Sequence, residues 1–197
     1  METEAQLINR ALKCTICQEQ LKDGVRPVFQ FSSSARILVA AQAPGRKVHE
    51  TGIPFNDPSG ERLRQWMGID RDTFYNPELI AILPMGFCFP GTGRSGDLPP
   101  RKECAPQWRQ LLLDRLTNLQ LTLVIGQYAQ AWHLDAARTG KKNTVTETVA
   151  NWREYVPNIY PMPHPSPRNN IWLRRNPWFE QELVPDLQQR IKQILAD

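Results

Sequence analysis

Ile37-Leu38-Val39-Ala40-Ala41 runs straight into Gln42-Ala43-Pro44-Gly45, and this stretch decides the fold. Five consecutive apolar residues, stopped by a proline and a glycine, read as a short buried strand. Strands buried on both faces belong to sheets covered by helices on either side. Small residues with a proline and a glycine at the carboxyl end of such a strand let a ligand come close to the backbone. In open α/β sheets, ligands bind at that end.

Outward from this strand the chain alternates. The pattern predicts a helix over 3–13, strands over 36–41, 79–83, 121–125 and 158–163, and helices over 59–67, 106–116 and 127–134. Ser59 is the expected N-cap of the 59–67 helix, and Leu111-Leu112-Leu113 the core stripe of the 106–116 helix. A terminal amphipathic helix over 180–195 is interrupted early by Pro185. Strands alternating with helices imply an α/β fold. The expectation is a three-layer α/β/α sandwich around a central, mainly parallel four-stranded sheet, as one domain over residues 1–197. The carboxyl ends of all four strands then share one rim.

The last strand ends in His164-Pro165-Ser166-Pro167-Arg168-Asn169. Each proline fixes its own φ and holds the preceding residue extended, so the His and Ser side chains leave the rim in fixed directions. Arg168 follows where it can meet a phosphate. The bland alternative is a Pro-rich surface loop that happens to hold one of three histidines. Thr51-Gly52-Ile53-Pro54-Phe55 presents an aromatic from another rigid turn, either as a core residue or as a stacking platform for a flat ligand.

Composition agrees with a globular chain. Of 197 residues, 41% are hydrophobic, and no repeat or low-complexity tract is visible. The 17 prolines cluster at the motifs instead of forming a linker. A net charge of +4 and a pI near 9.0 suit an anionic partner. Basic residues flank the motifs: Arg46 and Lys47, Arg101 and Lys102, and Arg168, Arg174 and Arg175. No signal peptide or apolar run of transmembrane length is present, so a cytoplasmic, reducing setting is expected and a membrane role is not. Four cysteines there, Cys14-x2-Cys17 and Cys88-x15-Cys104, suggest a four-thiolate metal site without the double CxxC of a zinc ribbon. The alternative is a surface pair at Cys14 and Cys17 and a buried, apolar Cys88.

Together these segments resemble the uracil-DNA glycosylase superfamily from about residue 10 to residue 195. Ala41-Gln42-Ala43-Pro44-Gly45 is similar to its first motif, and His164-Pro165-Ser166-Pro167 to its second, the loop that enters the minor groove and supplies a histidine. The Thr-Gly-x-Pro-Phe segment and the cysteine spacing resemble the iron–sulfur branch (family 4), where such cysteines hold a [4Fe–4S] cluster. Zinc is the alternative occupant.

The resemblance implies a monomeric DNA repair enzyme that hydrolyses the N-glycosidic bond of uracil, or a related deaminated base, and leaves an abasic site. Enzymes acting on a base flip it from the stack and hold it between a ring and hydrogen-bonding groups. Phe55 would be the ring. Gln42 and Ala43, with Pro44 and Gly45, would cradle the base and help position water. His164 would donate to the departing base, where negative charge develops. Ser166, Arg168 and Asn169 would hold the DNA, and Cys14, Cys17, Cys88 and Cys104 the metal.

Two departures stand out. The iron–sulfur branch carries an asparagine four residues before its third cysteine, to read the uracil edge. This chain has Pro84 at that base-binding position, with no polar side chain and no N–H. The second is Arg46-Lys47-Val48, where the family is often acidic; His49, Glu50 and Asp57 are the remaining candidates to orient water. His133 and most of the six tryptophans read as structural, with Trp172 the one placed to face DNA. Thr139-Gly140-Lys141-Lys142 reads as a solvated loop. Two rival functions remain: a DNA- or nucleotide-binding module that kept the fold without efficient excision, and a redox or metal sensor in which the cysteines are the function. The second leaves both base-handling motifs unexplained.

Overall fold

The computed structural model describes residues 2–94, 96–134 and 144–196. The loop expected at residues 139–142 lies outside the described residues. Strands β1 (Ile37–Ala40), β2 (Ile80–Ile82), β5 (Leu121–Ile125) and β6 (Ile159–Met162) form one sheet in the order β2-β1-β5-β6. All three pairings are parallel, with Val39 opposite both Ile82 and Leu123, and Ile125 opposite Met162. A second, two-stranded antiparallel ribbon joins β3 (Thr92–Gly93) to β4 (Gly96–Asp97).

Alternation along each strand sends side chains to opposite faces, which explains the unbroken apolar runs. On one face Ile37, Val39, Ile80, Ile82, Leu121, Leu123 and Ile125 pack against Leu63, Trp66 and Met67 of α3 (Pro58–Met67) and Leu187, Ile191 and Ile194 of the last helix. On the other, Leu38, Ala81 and Leu83 meet Leu7 and Ala11 of α1 (Glu4–Leu12) and Trp108 and Leu112 of α5 (Cys104–Leu113). Each fully buried aliphatic side chain stabilises this arrangement by roughly 1.5–3 kcal/mol. The expected α/β sandwich is therefore observed.

Several local expectations shift. The N-cap of α3 is Asp57, not Ser59: Asp57 is extended (φ −154°), and its Oδ1 accepts the Gly60 N–H at 2.9 Å. Pro58 is the reason, since its missing N–H and fixed φ suit the first helical position. Of the three leucines at 111–113, only Leu112 is fully buried, because successive helical residues point 100° apart. Leu111 lies 41% exposed. The terminal segment begins as a wide π turn over Phe179–Leu183, and α-helical geometry runs from Val184 to Ala196 with Pro185 in its first turn. Short helices α2 (Arg46–Thr51) and α4 (Arg71–Phe74) fill what reads from sequence as loop, as do two further helices at Val145–Ala150 and Asn170–Arg175.

Candidate active site and thiol cavity

Because the sheet is parallel, the residues following β1, β2 and β6 emerge at one edge. Gln42, Pro84 and His164 each sit two residues past a strand end. They line one cavity of about 460 Å³ together with Ala43, Pro44, Gly45, Phe55, Ser166, Arg168 and Asn169. The residues expected from the two motif loops, the Phe55 turn and Pro84 to handle the base or the DNA are thus gathered there, whereas Trp172 is not in the lining. Asp97 of the β3–β4 ribbon also lines it, a residue no sequence signal marked. Of the three candidates to orient water, only Asp57 lines the cavity. His49 and Glu50 lie on α2, where Arg26 Nη1 donates to both of their carbonyls and the His49 ring meets the Asp23 carbonyl at 3.0 Å.

His164 is held in one chemical form. Its Nδ1 accepts the Ser166 N–H at 3.2 Å, so its proton resides on Nε2. Burial holds the ring below its ordinary pKa, against the opposing charges of Asp57 and Asp97. The ring is accordingly a neutral Nε2–H donor. Asn169 fixes its backbone by donating to the His164 carbonyl at 2.7 Å. Ser166 accepts the Arg168 N–H on its hydroxyl at 3.2 Å, closing a 3-10 turn over Pro167–Asn169. From α3, Arg62 donates to the Ser166 carbonyl and to Asn170 Oδ1. The loop is braced from within and from the neighbouring helix. Arg168 leans on the ribbon: a methyl group on Gly96 would sit 2.5 Å from its Nη1.

Phe55 has a left-handed backbone (φ 53°), a conformation that costs a non-glycine residue about 1 kcal/mol or more. The surroundings hold it there. Gly60 presses so close that an added methyl would lie 1.8 Å from the Phe55 carbonyl oxygen. The Tyr75 hydroxyl donates to the Pro54 carbonyl at 2.8 Å, and the edge of Phe74 meets the Phe55 ring. The ring and the Asp57 carboxylate are therefore fixed relative to each other by one short turn.

The wall at Pro84 is organised from behind. Arg109 is fully buried on α5 and donates to the carbonyls of Leu83 and Pro84, at 2.7 and 3.1 Å. Its Nη2 meets Nε2 of His133 on α6 (Gly126–His133). A guanidinium only donates, so His133 accepts on Nε2 and carries its proton on Nδ1. Desolvation, and then the neighbouring guanidinium, push the His133 pKa down to about 3. Desolvation lowers Arg109 itself to about 10. Trp172, in contrast, is tied inward: its Nε1 donates to Thr146 Oγ1 at 2.8 Å and its ring packs on Trp178 and Phe179.

The four cysteines line a second cavity, between α1, the segment after it and the start of α5. The space among them is about 20 Å³, walled by apolar side chains such as Phe87 and Trp108. Burial raises the Cys88 thiol to about 11 and Cys104 to about 12, and the neighbouring thiols push in the same direction. The Phe87 N–H donates to Cys104 Sγ at 3.3 Å. Arg101 pairs with Glu103 at 2.7 Å beside Cys17. Among the described residues, no group of three or more His, Cys, Asp or Glu side chains is arranged to hold a metal ion as it stands.

The two motif loops and the Phe55 ring share one cavity. The family model of the uracil DNA glycosylase superfamily matches residues 28–188. The chain belongs to the uracil DNA glycosylase superfamily. Membership makes it, at the coarse level, a glycosylase-type hydrolase with DNA as substrate. The matched span contains the whole sheet and both motif loops but begins after Cys14 and Cys17. Among the described residues, no helix is long and apolar enough to cross a membrane.

Proposed function

We propose that this superfamily member is a DNA glycosylase that excises uracil or a related deaminated base and leaves an abasic site. The observation that carries the reading is the neutral Nε2–H tautomer of His164, in one cavity with the constrained Phe55 ring. A flipped base would stack on Phe55 and present a carbonyl oxygen to His164 Nε2–H. As the N-glycosidic bond breaks, its electron pair stays with the base. A neutral donor fixed at the oxygen stabilises that charge without proton transfer. Asp57 would hold the water: its oxygen bonds to the sugar carbon and its proton passes to the carboxylate. The N-cap bond to Gly60 fixes that carboxylate. Ala43 carries no group that could do this. Arg168 would meet a phosphate at the mouth.

Cys14, Cys17, Cys88 and Cys104 would hold a [4Fe–4S] cluster, with zinc the alternative. The donor set fits a cationic group. Four thiols share one apolar cavity, and burial together with the neighbouring thiols raises the pKa of Cys17, Cys88 and Cys104, so deprotonating the set requires a compensating metal charge. The small volume suits a single ion, while N–H donation to sulfur and the apolar walls suit a cluster as well. Bound there, the group would tie the N-terminal segment to α5 and leave the hydrolytic steps to the other cavity. Broad visible absorbance of anaerobically purified protein indicates a cluster; colourless protein with stoichiometric zinc indicates the ion.

The deciding experiment is single-turnover excision from oligonucleotides carrying one uracil, hypoxanthine or xanthine, read as alkali-dependent cleavage. Cleavage that His164→Ala lowers by about 10²-fold or more supports the proposal. Intact strands with metal-loaded enzyme in excess would favour the binding-module reading.

A further inference from the structure

Helix α5 joins the two cavities. Its first residue, Cys104, lines the thiol cavity, and Arg109, little more than one turn on, reaches the back of the base cavity at Leu83 and Pro84. A second link runs beside it. The segment from Pro84 to Cys88 begins in the wall of the base cavity and ends among the thiols. Between those ends, the Met85 and Gly86 N–H groups donate to the Ala41 and Gln42 carbonyls at 2.7 and 3.0 Å. The Phe87 N–H donates to Cys104 Sγ. This strap is therefore bonded to the first motif loop along its side and to the thiol cavity at its end.

Arg109 carries a positive charge that its immediate partners do not balance. It is fully buried, and those partners are the carbonyls of Leu83 and Pro84 and the neutral His133 ring. Its Nε–H is buried without an acceptor. Among the described residues, no carboxylate pairs with it. A buried cation without an anion is strongly disfavoured. The charge that works against the desolvation of Arg109 is that of a Cys104 thiolate. Four thiolates outweigh the charge of a zinc ion or of an oxidised [4Fe–4S] core, and both leave the same net negative charge. Either occupant gives Arg109 its anion.

Resting on the proposed metal site and excision activity, we infer that Arg109 is a positioning residue that couples the two cavities, so that loading the thiols sets the wall of the base cavity. One guanidinium balances the loaded thiols and holds the carbonyls of Leu83 and Pro84. Metal bonds at Cys88 and Cys104 fix the far end of the strap and the start of α5, and Arg109 ties the near end of the strap to the same helix. Ala41 and Gln42, bonded to the strap, are then ordered before DNA arrives. DNA binding has less ordering left to do, and its affinity rises. By linkage, DNA in the base cavity strengthens metal binding by the same factor.

The test takes the full chain, stripped of metal under reducing conditions, with zinc as the probe. Competition with a chromophoric chelator reads zinc affinity. Fluorescence anisotropy reads affinity for an oligonucleotide carrying a tetrahydrofuran abasic-site analogue. In the unaltered protein, zinc should raise DNA affinity by about 5–150-fold, and the DNA should raise zinc affinity by the same factor. No linkage, in protein that binds zinc and excises a base, would overturn the inference and leave both readings beneath it standing. Linkage without excision at any base would remove the glycosylase reading alone. A chain that takes up neither zinc nor a cluster would remove the metal reading, and the coupling with it. Arg109→Met should lower zinc affinity by about 10–100-fold and abolish the linkage. Arg109→Lys restores the charge without the two-armed donor, so zinc affinity should recover to within a few-fold while the linkage stays lost. Unchanged zinc affinity in Arg109→Met, or no recovery in a folded Arg109→Lys, would overturn the charge-balancing role. The linkage in the unaltered protein needs no variant, so it remains a test even where a substitution at Arg109 does not fold.

Discussion

Replacing His133 with glutamine isolates the energetic consequence of the buried Arg109–His133 contact. In the fold this imidazole is pushed down to about 3, first by desolvation and then by the adjacent guanidinium. In an unfolded chain it titrates near 6.5. Below pH 6.5 the unfolded state binds a proton that the folded state refuses, so stability falls as pH falls. Integrated between pH 7 and pH 5, that linkage amounts to about 2 kcal/mol, and each further unit toward the folded value adds about 1.4 kcal/mol. Glutamine keeps an acceptor for Arg109 and has no proton to take up. Urea unfolding of both proteins at pH 7, 6 and 5 gives the comparison, and His164, depressed in the same direction, cancels between them. The stability lost between pH 7 and pH 5 should be smaller in His133→Gln by about 2 kcal/mol. Parallel pH dependences would show that His133 is not the neutral acceptor the hydrogen-bond geometry requires.

Three further outcomes test the site. His164→Ala should lower single-turnover excision by about 10²–10³-fold, while DNA affinity, measured by fluorescence anisotropy, stays within a few-fold. Equal losses in both would make it a binding residue. Asp57→Asn preserves the N-cap, since asparagine caps as well as aspartate, so the melting temperature should hold while excision drops by about 10²-fold or more. Arg168→Ala should reduce the slope of log affinity against log salt by about one phosphate contact, uniformly across sequences.

Much of the fold was legible because its signals are local. The apolar run at residues 37–41 and the Leu-Thr-Leu-Val-Ile segment at 121–125, each short and closed by turn residues, read as buried strands, and the latter matches β5 residue for residue. Proline and glycine punctuation marked where those strands stop, and thereby the rim that carries the cavity. Local ambiguity accounts for the misplaced details. Ser59 and Asp57 both suit an N-cap, and only the extended backbone of Asp57 ahead of Pro58 decides between them. Three adjacent leucines carry no information about which one faces inward. Short helices such as α2 lack the several turns over which a 3.6-residue period becomes visible.

The candidate site divides along the same line. Gln42, Phe55 and His164 announce themselves through rigid flanking residues, and the cysteines through their spacing. Asp97 and Arg62 give no such signal, because their roles come from elements distant in the chain that the parallel sheet brings to one edge. The sequence by itself determined the alternating architecture, the rim and the identity of the two motif loops. Each of these follows from neighbours along the chain acting through sterics and hydrophobic period. Only the tertiary structure decided the tautomer of His164, the capture of the Leu83 and Pro84 carbonyls by Arg109 and the gathering of four thiols around one cavity. Those properties depend on which buried donor meets which acceptor, and that pairing exists only once the helices are packed on the sheet.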